Sequence, residues 1–180
     1  MTGEKGRIAA VASEIEKSNQ AERLRGLKEG LEQYPDMEIT AVLERGESII
    51  ALKDQITQLL DQNPEIDGLF CIEGYSSRAI SLIMEEHPES YTQMHKVVFD
   101  LNDDTSQALQ NGYVDVVLEQ RPQTMGTEAV RVLYEHCNQV AEGGSMEREK
   151  DVLLKPEIIT AWNESVTEPY ISGELSWHVY

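Results

Sequence analysis

Apolar residues fall into short continuous runs along this chain, and amphipathic stretches separate them. Arg7 to Ala12 (RIAAVA) predicts a first buried strand. From Asn19 to Gln33, Ala21, Leu24, Leu27 and Leu31 share one face at helical spacing, and Pro35-Asp36 ends that helix. Met37 to Leu43 alternates as a second strand, and Arg45 to Ser48 reads as a turn and cap. The stripe Ile49, Leu52, Ile56, Leu59, Leu60 marks the clearest helix, closed by Asn63-Pro64. Asp67 to Ile72 (DGLFCI) is a third strand, Glu73 to Ser76 a loop, and Ser77 to Glu86 a helix stopped at His87-Pro88.

The stretch from Val97 to Pro122 then reads as strand, helix, strand. Val97 to Phe99 stops at Asp100, Asp103 to Gln110 makes a short helix ended by Asn111-Gly112, and Val114 to Leu118 stops before Glu119 and Gln120. A long helix over Thr124 to Ala141 follows, with Met125, Ala129, Val132, Leu133, His136 and Val140 as its expected core face. Gly143-Gly144 ends it. Glu147 to Asp151 is a solvated charged run, Val152 to Thr160 a strand broken at Pro156, and Val166 to Tyr180 a hairpin or loose extension.

Continuous apolar strands joined by helices imply parallel pairs buried on both faces. Strand starts recur about every 30 residues, the length of a βαβ unit. The segments do not resemble one another, so this is alternation of elements and not a sequence repeat. The expected fold is α/β: a doubly wound, mostly parallel sheet flanked by helices. In such sheets ligands bind beyond the carboxyl ends of the strands. The polar residues expected at that edge are Asn19 and Arg23 after the first strand and Glu73 and Gly74 after the third. Asp100 follows the fourth strand and Gln120 the fifth. Carboxylates accept hydrogen bonds, a carboxamide both donates and accepts, and together they suit a polyhydroxylated ligand. An Asp after a strand also serves as an ordinary helix cap, and that alternative stays open.

Charge narrows the classes further. The 180 residues carry 33 acids against 15 bases, a formal net charge of -18. Phosphate contacts need clustered Lys and Arg, so this chain by itself is not expected to bind a nucleic-acid duplex. The acids spread over helix faces such as Glu14 to Glu32, which reads as solubility. Cys71 and Cys137 have neither metal-ligand nor redox spacing, and a thiol pair without a disulfide framework favours a reducing compartment. No run approaches the roughly 20 apolar residues of a membrane span. There is no G-x-G-x-x-G, Walker A or G-x-S-x-G motif, and His87, His95, His136 and His178 form no metal pair. Ser76 and Ser77 read as an ordinary helix cap. Asp103 and Asp104 read as first-turn acids favoured by the helix dipole and not as a cation site. No catalytic group, metal site or cofactor is expected.

Three segments carry a family likeness. They are the E-R-x-x-G helix start at Glu22, Arg23 and Gly26, the P-x-I-D-G-L-F segment from Pro64 to Phe70, and the G-x-x-D-x-x-x-x-Q-x-P run ending in Gln120 and Pro122. With them, residues from about Gly6 to Asn163 resemble the type I periplasmic-binding-protein superfamily. That superfamily holds the effector domains of lactose-repressor-type (LacI family) regulators and the ribose-type solute-binding proteins. The resemblance implies two lobes joined by crossing strands, with ligand in the cleft. It places this sequence as a C-terminal effector lobe spanning 6–163, followed by a C-terminal extension over 164–180. The helix at 122–142 would belong to the other lobe in a full-length relative, reached through a hinge at Gln120 to Pro122.

By position, Asn19, Arg23, Glu73, Asp100 and Gln120 carry over as ligand contacts, although the family often has Asn or Asp where Glu73 stands. The first expectation is a non-catalytic domain of a cytoplasmic sugar-responsive regulator, touching DNA only through a headpiece absent from this chain. The alternative is an extracytoplasmic sugar-binding protein of a transporter. An enzyme of flavodoxin-like type would need a phosphate-cradling loop after the first strand, and Ala12-Ser13-Glu14 is a poor one. With half of the cleft absent, sugar-like effectors are expected to bind weakly or not at all. The orphaned long helix is expected to fold back on the sheet or to form a homodimer, with exchange of that helix as one route. No membrane contact is expected.

Overall fold

The apolar runs become strands and the amphipathic stretches become helices. The computed structural model describes residues 5–44, 48–141 and 154–161. Along the chain these form β1 (Lys5–Ala12), α1 (Ser18–Leu31), β2 (Asp36–Glu44), α2 (Ile49–Gln62), β3 (Gly68–Cys71) and α3 (Gly74–Glu86). They continue as β4 (His95–Phe99), α4 (Asp103–Gln110), β5 (Val116–Glu119), α5 (Pro122–Ala141) and β6 (Glu157–Ile159). Among the described residues two compact units result, one up to residue 118 together with 158–161, the other 119–141 together with 154–157.

One sheet has the order β2-β1-β3-β4-β5-β6. β1 pairs in parallel with both β2 and β3, β3 with β4, and β4 with β5. The expected doubly wound, mostly parallel α/β fold is what forms. Because β1 is followed on one side by β2 and on the other by β3, the strand order reverses at β1/β3. Such a switch point opens a crevice at the carboxyl edge.

Local chemistry fixes the helix starts. The Ser48 hydroxyl accepts from the Ala51 N–H at 3.2 Å and caps α2. Asn102 and Thr105 form a reciprocal capping box on α4. After α4, Gly112 takes φ +72°, a left-handed turn that glycine adopts without a Cβ clash.

The two faces of the sheet are covered unequally. Ala9, Val11, Leu69, Cys71, Val98 and Val117 point to one face and pack with Leu52, Ile56, Ile80, Ile83 and Leu109 of α2, α3 and α4. Among the described residues, that core cluster holds 20 buried side chains. The opposite cluster holds four, Ala10, Ala12, Leu24 and Ile72, with α1 as its helix. Ala21, Leu27 and Leu31, expected to be core, are only half-buried.

Several expectations need correction. The loop at Glu73 to Ser76 is instead the start of α3: Glu73 is its N-cap and the helix begins at Gly74. β5 begins at Val116, not Val114. Val114 is buried just before it, and the Asp115 carboxylate accepts the Lys96 N–H at 2.7 Å. The expected core face of α5 is open: Met125 is 41% and Leu133 62% exposed, Ala129 is exposed, and Val132 and His136 are half-buried. Helical spacing shows which side of a helix is apolar, not whether anything covers it. Of the strand expected over Val152 to Thr160, the described residues show β6, beginning after Pro156. The expectations for 45–47, 147–151 and 164–180 lie outside the described residues.

Lys96 is the unusual charge of this fold. It sits in β4 with 3% of its surface exposed, and its Nζ donates to the carbonyls of Tyr91 at 3.0 Å and Met94 at 2.6 Å. Burial lowers its pKa below the ordinary ammonium value, and Asp115 offsets this only in part. The unfolded chain therefore holds this proton more tightly than the folded one. Stability must rise with pH between the folded value and the unfolded one, near 10.5. Urea midpoints measured from neutrality to about pH 10 should rise for the wild type relative to Lys96→Met, which cannot titrate. At neutral pH the variant should be about 1–3 kcal/mol less stable, because two carbonyls lose their donor.

Candidate functional site

The carboxyl edge at the β1/β3 switch point gathers three of the expected residues in the first unit. Arg23 lies on the second turn of α1, half-buried. Its Nη1 donates to the Ile72 carbonyl at 2.8 Å, reaching from α1 to the end of β3. Its guanidinium carbon stands 4.2 Å from the centre of the Phe99 ring. Phe99 in turn meets Phe70 edge to face, with ring centres 6.0 Å apart and planes at 84°. Two aromatic rings and one carbonyl thus hold the arginine fork beside the end of β4.

Asp100 follows immediately. Its φ of +66° lies in the left-handed region, which Asp tolerates better than most residues. The surroundings impose that conformation. Its N–H donates to the Leu118 carbonyl at 3.0 Å, and its own carbonyl accepts from the Thr105 hydroxyl at 2.9 Å. The carboxylate lies against the start of α3, where only glycine fits. A Cβ built on Gly74 would stand 2.8 Å from Asp100 Oδ2 and 3.4 Å from its Cβ. Gly74→Ala should therefore displace the Asp100 side chain and cost about 1–3 kcal/mol by overpacking. Thermal unfolding, with the Asp100 amide resonance as local reporter, checks this. An unshifted Asp100 signal would contradict it.

Glu73 has a structural task. Its two carboxylate oxygens accept from the Tyr75 N–H at 2.7 Å and the Ser76 N–H at 2.8 Å. A carboxylate at a helix N-terminus also meets the positive end of the helix dipole. Ser76 and Ser77 both donate to the Glu73 carbonyl, and the Ser77 hydroxyl accepts the Phe99 N–H at 3.0 Å. Both serines are fully buried and bonded inside the first turn of α3, so the cap expected at Ser76 and Ser77 is Glu73 instead. Asn19 is exposed in the first turn of α1, four residues before Arg23 and on the same face. Gln120 falls in the second unit, half-buried, just before Arg121 with its φ of +59°.

Two contributors were not anticipated from sequence. Gln20 is buried, and its Oε1 accepts from the N–H groups of Ser13 at 3.0 Å and Glu14 at 3.1 Å. Its Nε2 donates to Ser13 Oγ at 2.7 Å, so one side chain shapes the β1–α1 loop bordering the crevice. Phe99 is the other, as the platform under Arg23. Nothing flags a glutamine in a polar helix turn as buried, whereas an aromatic at a strand end beside an expected contact was a usable signal.

The arrangement suits binding. It offers one guanidinium fork with five donors and carboxylates that accept. Burial pushes the Cys71 thiol pKa up, so it is not a ready nucleophile. Among the described residues no group of three His, Cys, Asp or Glu could hold a metal ion. No helix among them is long and apolar enough to cross a membrane.

Comparison with known proteins agrees with the fold. The family model described as periplasmic binding protein domain matches residues 1–141. A search of curated proteins gives no match. Among solved structures, a transporter solute-binding protein from Burkholderia graminis in complex with D-arabinose superposes with a TM-score of 0.74 at 22% identity, over 98% of this chain and 56% of that one. A sugar transporter sugar-binding protein from Bacillus halodurans gives 0.74 at 23% identity, over 93% and 58%. An arabinose-binding protein from Geobacillus stearothermophilus gives 0.72 at 22%, over 93% and 57%. The chain thus spans a little over half the length of these structures. With the family model covering most of the sequence, and a doubly wound sheet carrying its polar residues at one carboxyl edge, this chain belongs to the periplasmic binding protein family.

Proposed function

We propose that this chain is a non-catalytic sugar-recognition lobe, and that Arg23 and Asp100 make its main ligand contacts. The observation that carries the reading is Arg23 itself. Its guanidinium is anchored over Phe99 and on the Ile72 carbonyl at the switch-point edge, one residue along the chain from the Asp100 carboxylate. A vicinal pair of sugar hydroxyls can accept from the planar fork and donate to the carboxylate. Asn19 would add amide contacts, and Glu73 would act chiefly by holding Gly74 and the α3 turn in place.

The similar solved structures are sugar-binding proteins of transporters, several with pentoses or hexoses bound. That favours the exported solute-binding reading over the regulator. One observation speaks for the regulator: Cys71 is buried and Cys137 exposed, both free thiols, as suits a reducing compartment. In that reading DNA contact comes from a separate headpiece.

The test is a titration followed by backbone amide resonances. D-Arabinose, D-ribose, D-galactose and D-allose should each be taken into the high-millimolar range. Weak saturable shifts confined to residues 19–23, 73–76 and 99–102 are expected for at least one sugar. No shift with any of them overturns the sugar reading, and shifts elsewhere overturn the site.

A further inference from the structure

A doubly wound sheet needs helices on both faces, and among the described residues only α1 packs on one of them. Beside α1 a groove of about 750 Å³ runs along the sheet. It extends from Asp67 and His95 at the amino edge to Arg23 and Phe99 at the carboxyl edge. Ile8, Phe70 and Val97 form its floor, and Leu27, Leu31 and Tyr34 of the α1 region form one wall. Gly26 and Gly30, one turn apart on α1, line it with open space where a side chain would project. Floor and wall are apolar, the lining that receives the apolar face of a helix.

The chain also supplies a helix in need of a partner. α5 is 20 residues long. Its polar side is closed by Arg131 bridging Glu128 and Glu135. Met125, Ala129, Leu133 and Cys137 make a row at four-residue spacing on its other side, flanked by Val130 and Tyr134. Val130, Leu133 and Tyr134 are each more than 60% exposed.

We propose that this groove receives α5 of a second copy of the chain, in a reciprocal two-fold dimer. Each copy owns one groove and one helix, so a returned contact closes the dimer, whereas an unreturned one would propagate as an open chain of larger mass. The groove follows α1 from Arg23 to Tyr34, about 17 Å at about 1.5 Å per residue, so about half of α5 can seat in it. Half the lateral surface of that length is on the order of 250 Å². Two helices and two grooves then bury on the order of 1,000 Å², the low end for specific dimers. The small residues at Gly26 and Gly30 let a helix approach α1 closely, and the exposed row of α5 provides the side chains that fill the space above Phe70 and Val97.

Sedimentation equilibrium on the 180-residue protein tests this. The expected mass is twice the 20.3 kDa of one chain. Leu133→Glu with Tyr134→Glu, and separately Gly30→Trp, should each weaken dimerisation on the order of 100-fold or more. All these positions are exposed, so circular dichroism should stay unchanged. Mixing the two variants should restore part of the association, because one intact helix then meets one intact groove. A wild-type monomer at every concentration overturns the proposal. So does a dimer that both variants leave untouched, or a monomer whose groove amides are protected from exchange, which would mean that another segment of the same chain fills it.

Discussion

Asp100→Asn is expected to weaken sugar binding by about 10- to 100-fold, the effect of removing one charged hydrogen-bond acceptor, while leaving the melting temperature almost unchanged. The choice of asparagine follows from the backbone. At φ +66° alanine would add strain of its own, whereas Asn accepts the left-handed region readily. Asn also preserves the shape that fits against Gly74, and the backbone bonds to Leu118 and Thr105 do not depend on the side chain. The measurement is the sugar concentration that half-saturates the amide shifts at residues 19–23. An unchanged midpoint would remove Asp100 from the contacts and leave its carboxylate a purely structural role beside α3.

How far the sequence reached can be judged from individual residues. α4 is legible with its bounds, because Asp103 and Asp104 open it and Asn111-Gly112 closes it, and each of those signals acts locally. The placement of Asp100 and Gln120 after neighbouring parallel strands followed from two apolar runs and one short helix. The start of α3 was misplaced because glutamate is an uncommon cap and because its two bonds, to Tyr75 and Ser76, belong to a geometry that spacing does not reveal. Gln20 was invisible for a related reason: its partners, Ser13 and Glu14, sit across a loop whose path the glutamine itself sets. The α5 error differs in kind. Its apolar side was identified, but burial is a property of a neighbour, and no neighbour is encoded in a helix's own periodicity.

The same asymmetry yields the largest expected effect on stability. Ile80→Ala should cost about 3–5 kcal/mol. Ile80 is fully buried in the cluster that joins α3 to the sheet and that also holds Leu52 and Ile56 of α2 and Ala108 and Leu109 of α4. α3 packs against both of those helices and against β3 and β4, so the lost methylene groups leave a cavity that the neighbours cannot close without moving. Leu27→Ala, on the opposite face, removes a side chain of the same size from a half-buried position beside the open groove. At low protein concentration it should cost about 1 kcal/mol or less, since little apolar surface returns to water. As the concentration rises and copies associate, its cost should grow, because a partner that binds only the folded state stabilises it by mass action. Urea unfolding at two protein concentrations separates these cases. Equal, concentration-independent costs for the two substitutions would mean that the α1 face is as completely packed as the other, and the groove would lose its meaning as a place where a helix is received.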